Sequence, residues 1–353
     1  MKGSLFVWKS NKIILVLAVS ALFIGGCSKE KEPDVETVEN DQAGEESVVE
    51  EVYVAPLTGE IVKEEVTQRP IIVTVNNHPQ ARPQSGLADA DIIYEMLAEG
   101  NVTRFLAVYQ SALPDTVGPV RSARSYFVDL AKAYDAFYIA HGYSPEAQSM
   151  LNNNVVDNIN GMNYDGTLFK RSADRVAPHN SYISSENIIK GAEKVGASMN
   201  YSKKVVQAFY EQGEHGKIGI ETSQVDVYYG NNKSFHNTYV YDHETNLYER
   251  QSAGEMTKDM LTGKALTFAN VLFFEMQHET IDAEGRQDIN VTSGGNAYVF
   301  QNGYLREVKW ANVDGIPMAV EASGELVKLA PGKSWVHFVP ASPGLQTMVK
   351  TQS

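Results

Sequence analysis

What the chain has little of narrows its function first. Among 353 residues there is one cysteine, Cys27, so no internal disulfide can form and no cysteine cluster can hold zinc. The eight histidines are scattered and never take the His-x-x-x-His spacing of a helical metal site, so no metal and no other cofactor is expected. Basic residues are also short. The 30 Lys and Arg against 44 Asp and Glu give a formal net charge of −14, without the positive footprint that nucleic-acid binding needs. The nucleophile-elbow pattern Gly-x-Ser-x-Gly is missing around Ser144, and no internal repeat divides the chain.

What is there begins with Lys2, Lys9 and Lys12 ahead of the apolar run "IILVLAVSALFIGG", followed at once by Cys27-Ser28. A basic start, a short apolar segment and small residues before a cleavage point describe an export signal over 1–26 rather than a stable membrane span. The tetrapeptide "IGGC" resembles the lipobox of bacterial lipoproteins. That resemblance implies that Cys27 is diacylated on sulfur and becomes the mature N-terminus, with acyl chains that hold the protein on a bilayer. Ser28 to Val66 carries thirteen acidic residues and three lysines with almost no aromatics, so 27–66 is expected to be a disordered, self-repelling spacer. About 280 residues then remain, enough for two domains of ordinary size.

The first of these, over 67–215, alternates strand and helix signals and reads as an α/β or α+β domain. "IIVTV" at 71–75 is a short β-branched run bounded by Pro70 and Asn76, and "DIIYEMLAEGNVTRFLAVYQ" is a hairpin turning at Gly100-Asn101. With a two-residue turn, Glu99 faces Val102, Leu97 faces Arg104 and Glu95 faces Leu106, so both carboxylates and Arg104 share one face of the sheet. Helical spacing over 122–134, with Ser122 as cap, is followed by the strand "AFYIAHGY" and by a helix that Ser144 caps and Pro145 opens. A further helix spans 184–195. From 220 to 345 the pattern is mainly β, with hairpins in "TYVYDHETNLYERQ", "AYVFQNGYLREVKW" and "VKLAPGKSWVHFV".

Polar residues that call for an explanation fall in the first half. Arg121 and Arg124 in "GPVRSARSYF" lie where a loop gives way to a helix, an end that prefers anions to cations. Either they pair with Glu95, Glu99 or a nearby Asp in an ion network, or they form a pocket for a phosphate or carboxylate. Arg175, His179 and Asn180, in the long polar loop "FKRSADRVAPHNSYIS", are candidate helpers for the same anion, although Pro178, His179 and Asn180 also suit a turn and cap. Glu95 between Ile93 and Leu97 is the candidate general acid, its pKa raised by desolvation unless an arginine such as Arg104 restores the charge. His141, after an apolar strand, is the second catalytic candidate, and Arg104, Glu99 and Ser144 are supporting residues.

"RPIIVTVNNHPQARPQSGLADADIIYEMLAEGNVTRFLAVYQ", "GPVRSARSYFVDLAKAYDAFYIAHGYSPEAQ" and "RVAPHNSY" closely resemble the YerB-type lipoproteins of Gram-positive bacteria over about residues 65–340. The resemblance implies an N-terminal domain of unknown function with its C-terminal companion, lipid-anchored on the outer face of the cell membrane. It brings no reaction and no catalytic residues. The leading expectation is therefore a lipoprotein of the cell envelope that binds or acts on a cell-wall glycan or its anionic precursor. The alternative is a scaffold that recruits a membrane protein partner through Tyr228, Tyr229, Tyr239, Tyr241 and Tyr248 of the β-rich half.

Overall fold

Ile71–Asn76, six residues with buried side chains, form strand β1 of the computed structural model, which describes residues 52–353 apart from 202, 204, 212, 213 and 215. The export signal, Cys27 and the spacer as far as residue 51 lie outside the described residues. The expected hairpin follows as β2 (Ile92–Glu99) and β3 (Val102–Tyr109). Next come α1 (Ser125–Ala133), β4 (Phe137–Ala140), α2 (Pro145–Asn152), β5 (Asn158–Asn160), β6 (Phe169–Arg171), β7 (Ser181–Ser184) and α3 (Ser185–Val195). The second half is almost all strand: β8 (Gln224–Tyr228), β9 (His236–Asp242), β10 (Leu247–Ser252), β11 (Asn270–Met276), β12 (Gly295–Gln301), β13 (Tyr304–Val313), β14 (Ile316–Val320), β15 (Ser334–Pro340) and β16 (Val349–Gln352). The chain thus has an α+β N-terminal domain and a mainly β C-terminal domain.

One 11-stranded sheet runs through both, in the order β13-β12-β11-β15-β2-β3-β1-β4-β5, with β14 and the short strand Ile220–Glu221 beside β13. The junction is β15, which pairs in parallel with β11 on one side and with β2 on the other, setting His337 beside Glu95. "VKLAPGKSWVHFV" is therefore not the hairpin its Pro-Gly suggests: its second half is a central strand, buried on both faces, whose partners come from elsewhere in the chain. On one face of the sheet Ile72, Tyr94, Leu106 and Tyr138 pack against Phe127, Leu130 and Ala131 of α1 and against Ala147 and Leu151 of α2. On the other, Ile71, Phe105 and Trp335 pack against Val225, Tyr239 and Tyr248 of a six-stranded sheet built around β10-β9-β8-β16.

Three expectations need correcting. The ordered body starts before residue 67: Tyr53–Val54 pair with Ile61–Val62, and Ala55, Leu57 and Thr58 are buried. It also runs past residue 345, since β16 pairs with β8. Within β2, a bulge between Leu97 and Glu99 inserts one extra residue, so Glu95 pairs with Phe105 and Met96 with Arg104, while Glu99 still pairs with Val102. A one-residue shift exchanges faces. Glu99 therefore stays on the face of Arg104, and Glu95 turns to the opposite one.

Candidate functional site

β1, β4 and β5 run parallel, so their carboxyl ends share one edge of the sheet, the edge where open α/β sheets place ligands. An extended segment from Pro119 to Ala123 lies across that edge. Asn76 N–H donates to Pro119 O (2.8 Å), Arg121 N–H to Thr74 O (2.9 Å), His141 N–H to Arg121 O (2.9 Å) and Ala123 N–H to Gly142 O (3.0 Å). Arg121 is thereby fixed between the ends of β1 and β4.

The two arginines that look alike in sequence have different fates. Arg124 is the N-cap residue of α1, buried, and ion-paired with Glu99. Glu99 also takes Arg104 through both carboxylate oxygens, at 2.7 and 2.8 Å, and Arg104 donates in addition to Ser122 O. Arg124 is thus neutralised within its own chain and is withdrawn as an anion ligand. Arg121 is only partly buried, and among the described residues no hydrogen-bond or ion-pair partner meets its guanidinium. Burial, and then the charge of Arg104, push its pKa down to about 10, so it stays cationic at neutral pH.

Two imidazoles accompany it. Asn76 Oδ1 accepts from His78 N–H (3.0 Å), which orients the amide so that Asn76 Nδ2 donates to His179 Nδ1 (2.9 Å). His78 Nδ1 accepts from Gln80 N–H (3.3 Å). Each ring therefore uses Nδ1 as an acceptor and carries its proton on Nε2. The rings stack 4.5 Å apart, and among the described residues no acceptor takes either Nε2–H. Burial lowers both pKa values; Arg82 and Arg121 add to the effect at His78, and His78, Arg121 and Arg175 at His179. Both rings are neutral at pH 7.

The other candidates have structural duties. Arg171 donates to His141 Nε2 (3.1 Å), so His141 Nδ1–H donates to Ser181 Oγ (2.7 Å) and neither nitrogen is free to act as a base. Gly161 sits against this ring: a Cβ there would lie 2.2 Å from His141 Nδ1. Gly161→Ala is expected to displace His141 and cost about 1–3 kcal/mol, the usual penalty of overpacking, measured by denaturant unfolding. Arg175 is not an anion grip but a brace, donating to Ala81 O (2.6 Å), Pro83 O (2.7 Å) and Tyr182 OH (2.9 Å). Asn180 ties its loop together through Ser172 O and Arg175 O, and Ser144 caps α2 by accepting from Ala147 N–H.

Glu95 is corrected most. It lies on the far face, fully buried, with its oxygens accepting from Thr103, Asn77, Asn237, Arg250 and Trp335. Burial, the largest influence, would raise its pKa, but the nearby Arg250 charge and the hydrogen bonds from Thr103 and Arg250 together outweigh it, and the carboxyl is held below its ordinary value. A sealed carboxylate that stays ionised at neutral pH is no general acid. The expected aromatic contact face fails similarly: Tyr229, Tyr239, Tyr241 and Tyr248 are core residues, and only Tyr228 is exposed. An open groove of about 670 Å³ lies elsewhere, and three of its charged groups are committed, Glu275 to Asn296 and Leu345, Glu321 to Arg306, and Lys309 to Asn296. Sequence reasoning missed His78 and Asn76. The available signal was "NNHPQARP", a polar run that follows a fully buried strand without a break.

Residues 57–198 match the family described as protein of unknown function (DUF3048), N-terminal domain, and residues 225–336 match its C-terminal domain. The chain belongs to this family. It is 44% identical over 288 residues to "Putative lipoprotein YerB" of Bacillus subtilis (strain 168), covering 81% of this chain and 86% of that one. The crystal structure of the YerB protein from Bacillus subtilis superposes with a TM-score of 0.78 at 41% identity, covering 85% of this chain and 99% of that chain. Among the described residues no helix is long and apolar enough to cross a membrane, and no group of His, Cys, Asp or Glu is placed to hold a metal.

Proposed function

We propose that this is a lipid-anchored protein of the outer membrane face that binds an anionic group, phosphate or carboxylate, on a cell-wall glycan or its precursor. The observation that carries the reading is Arg121: a half-buried guanidinium that meets no counter-charge among the described residues, fixed at the carboxyl edge of parallel strands and electrostatically coupled to His78 and His179, each with an unused N–H donor. Leaving a cation partly desolvated is costly unless a ligand supplies the opposite charge. The lipobox at Cys27 and the name of the Bacillus relative support the anchor and the location. The commitments of His141 and Glu95 favour binding over chemistry.

The test is thermal unfolding of the full chain with and without glycan fragments that bear phosphate or carboxylate. The wild-type protein should be stabilised by the fragments. Arg121→Gln should abolish that stabilisation while leaving the unliganded melting temperature in place. If Arg121→Gln binds as the wild type does, the reading is wrong.

A further inference from the structure

We infer that the group held at Arg121 is a phosphoryl group, and that His78 and His179 bind it as neutral Nε2–H donors rather than as imidazolium cations. The inference rests on the anion-binding reading above and names its ligand class. Three side chains present unused donors: the forked guanidinium of Arg121 and one Nε2–H on each of two rings stacked 4.5 Å apart. A carboxylate offers two oxygens in one plane, which a single guanidinium fork can occupy. A phosphoryl group offers three outward oxygens on a tetrahedron, so acceptors remain for two further donors.

The protonation state follows from geometry. To become a cation, either ring must gain a proton on Nδ1. At His78 that position already receives the Gln80 N–H, and at His179 it receives the Asn76 amide. Protonation would break an existing hydrogen bond in each case. It would also place new charge beside Arg82, Arg121 and His179 for His78, and beside Arg121, Arg175 and His78 for His179. The residues around the pair therefore keep it neutral. Phosphoryl binding here draws its charge attraction from Arg121 and its shape from the two imidazoles.

Sulfate separates the possibilities, because it is a tetrahedral dianion that does not titrate near neutral pH. Its affinity for the full chain in detergent is measured by calorimetry between about pH 5.5 and about pH 8. With neutral donors, the dissociation constant should change by less than about threefold across that range. Inorganic phosphate should bind more tightly as its second ionisation completes across that range. Acetate should bind about tenfold more weakly than sulfate or worse, and Arg121→Gln should weaken sulfate binding by about tenfold or more. His78→Ala and His179→Ala should each weaken it by a smaller factor that is the same at both ends of the pH range. Should Arg121→Gln fold poorly, Arg121→Lys keeps the charge without the fork and should retain only part of the affinity.

A steep loss of sulfate affinity with rising pH would mean charged histidines and would overturn the neutral-donor inference. Acetate binding as tightly as sulfate would overturn the phosphoryl assignment and leave the anion reading standing. If none of the three anions binds in a way that depends on Arg121, the anion reading fails and this inference with it.

Discussion

Replacing Arg250 by methionine is expected to lower the unfolding free energy by about 3–5 kcal/mol at neutral pH, because it strands a buried carboxylate. Arg250 and Glu95 are both almost completely buried and meet at 2.9 Å. The guanidinium also lies 4.3 Å from the Trp335 ring centroid and donates to Tyr239, Thr257 and Asn237. Among the described residues no other Lys or Arg is ion-paired with Glu95. His337, 3.8 Å from Glu95, has its pKa pushed down to about 3 by burial and is neutral.

The pH dependence makes this prediction specific. In the wild type the lowered pKa of Glu95 contributes stability above the ordinary carboxylate value of 4.5, and that contribution is lost as pH falls through the folded value. Without Arg250, burial governs and raises the pKa instead, so the variant regains stability on acidification by taking up a proton. The penalty of Arg250→Met should therefore be largest at neutral pH and shrink toward pH 5. Glu95→Gln gives the contrast: an unpaired arginine cannot discharge, so its penalty should not shrink between neutral pH and about pH 5, where wild-type Glu95 is still ionised. Urea unfolding at several pH values reads both. A penalty for Arg250→Met that is below 1 kcal/mol or independent of pH would mean that water reaches Glu95.

The bond between Arg250 and Glu95 spans 155 residues of sequence, and that distance explains why the network was illegible. Features written locally were readable. The β-branched run at 71–75, the Asn302-Gly303 turn with both residues at positive φ, and the serine cap at Ser144 each depend on near neighbours. The parity of Glu95 and Glu99 did not, because a bulge at 97–99 is set by how both faces of the sheet pack. Nor did β15, whose two sheet neighbours, β11 and β2, both come from far earlier in the chain. Arg121 and Arg124 show the limit most sharply. Their spacing fits a shared site, but α1 begins at Ser125, so Arg124 caps a helix and is buried while Arg121 stays in the extended segment.

That difference makes Glu99 the second position with a large expected effect. Glu99→Gln should cost about 3–5 kcal/mol, since it removes the carboxylate that pairs with both Arg104 and Arg124. Each of those side chains is 5% exposed or less, and Arg124 Nε already lacks a partner. Both would be left as buried cations close to Arg121, whose own pKa Arg104 depresses. A substitution that unmasks two guanidiniums close to the already unpaired Arg121 should also change the response to salt. In chloride the variant should be strongly destabilised, and in sulfate at equal ionic strength it should recover more than the wild type gains, because the anion can supply the negative charge that the substitution removes. Melting curves in the two salts decide the matter. Equal gains for variant and wild type would show that Glu99 does not hold this cluster together, and the division of labour between Arg121 and Arg124 would lose its basis.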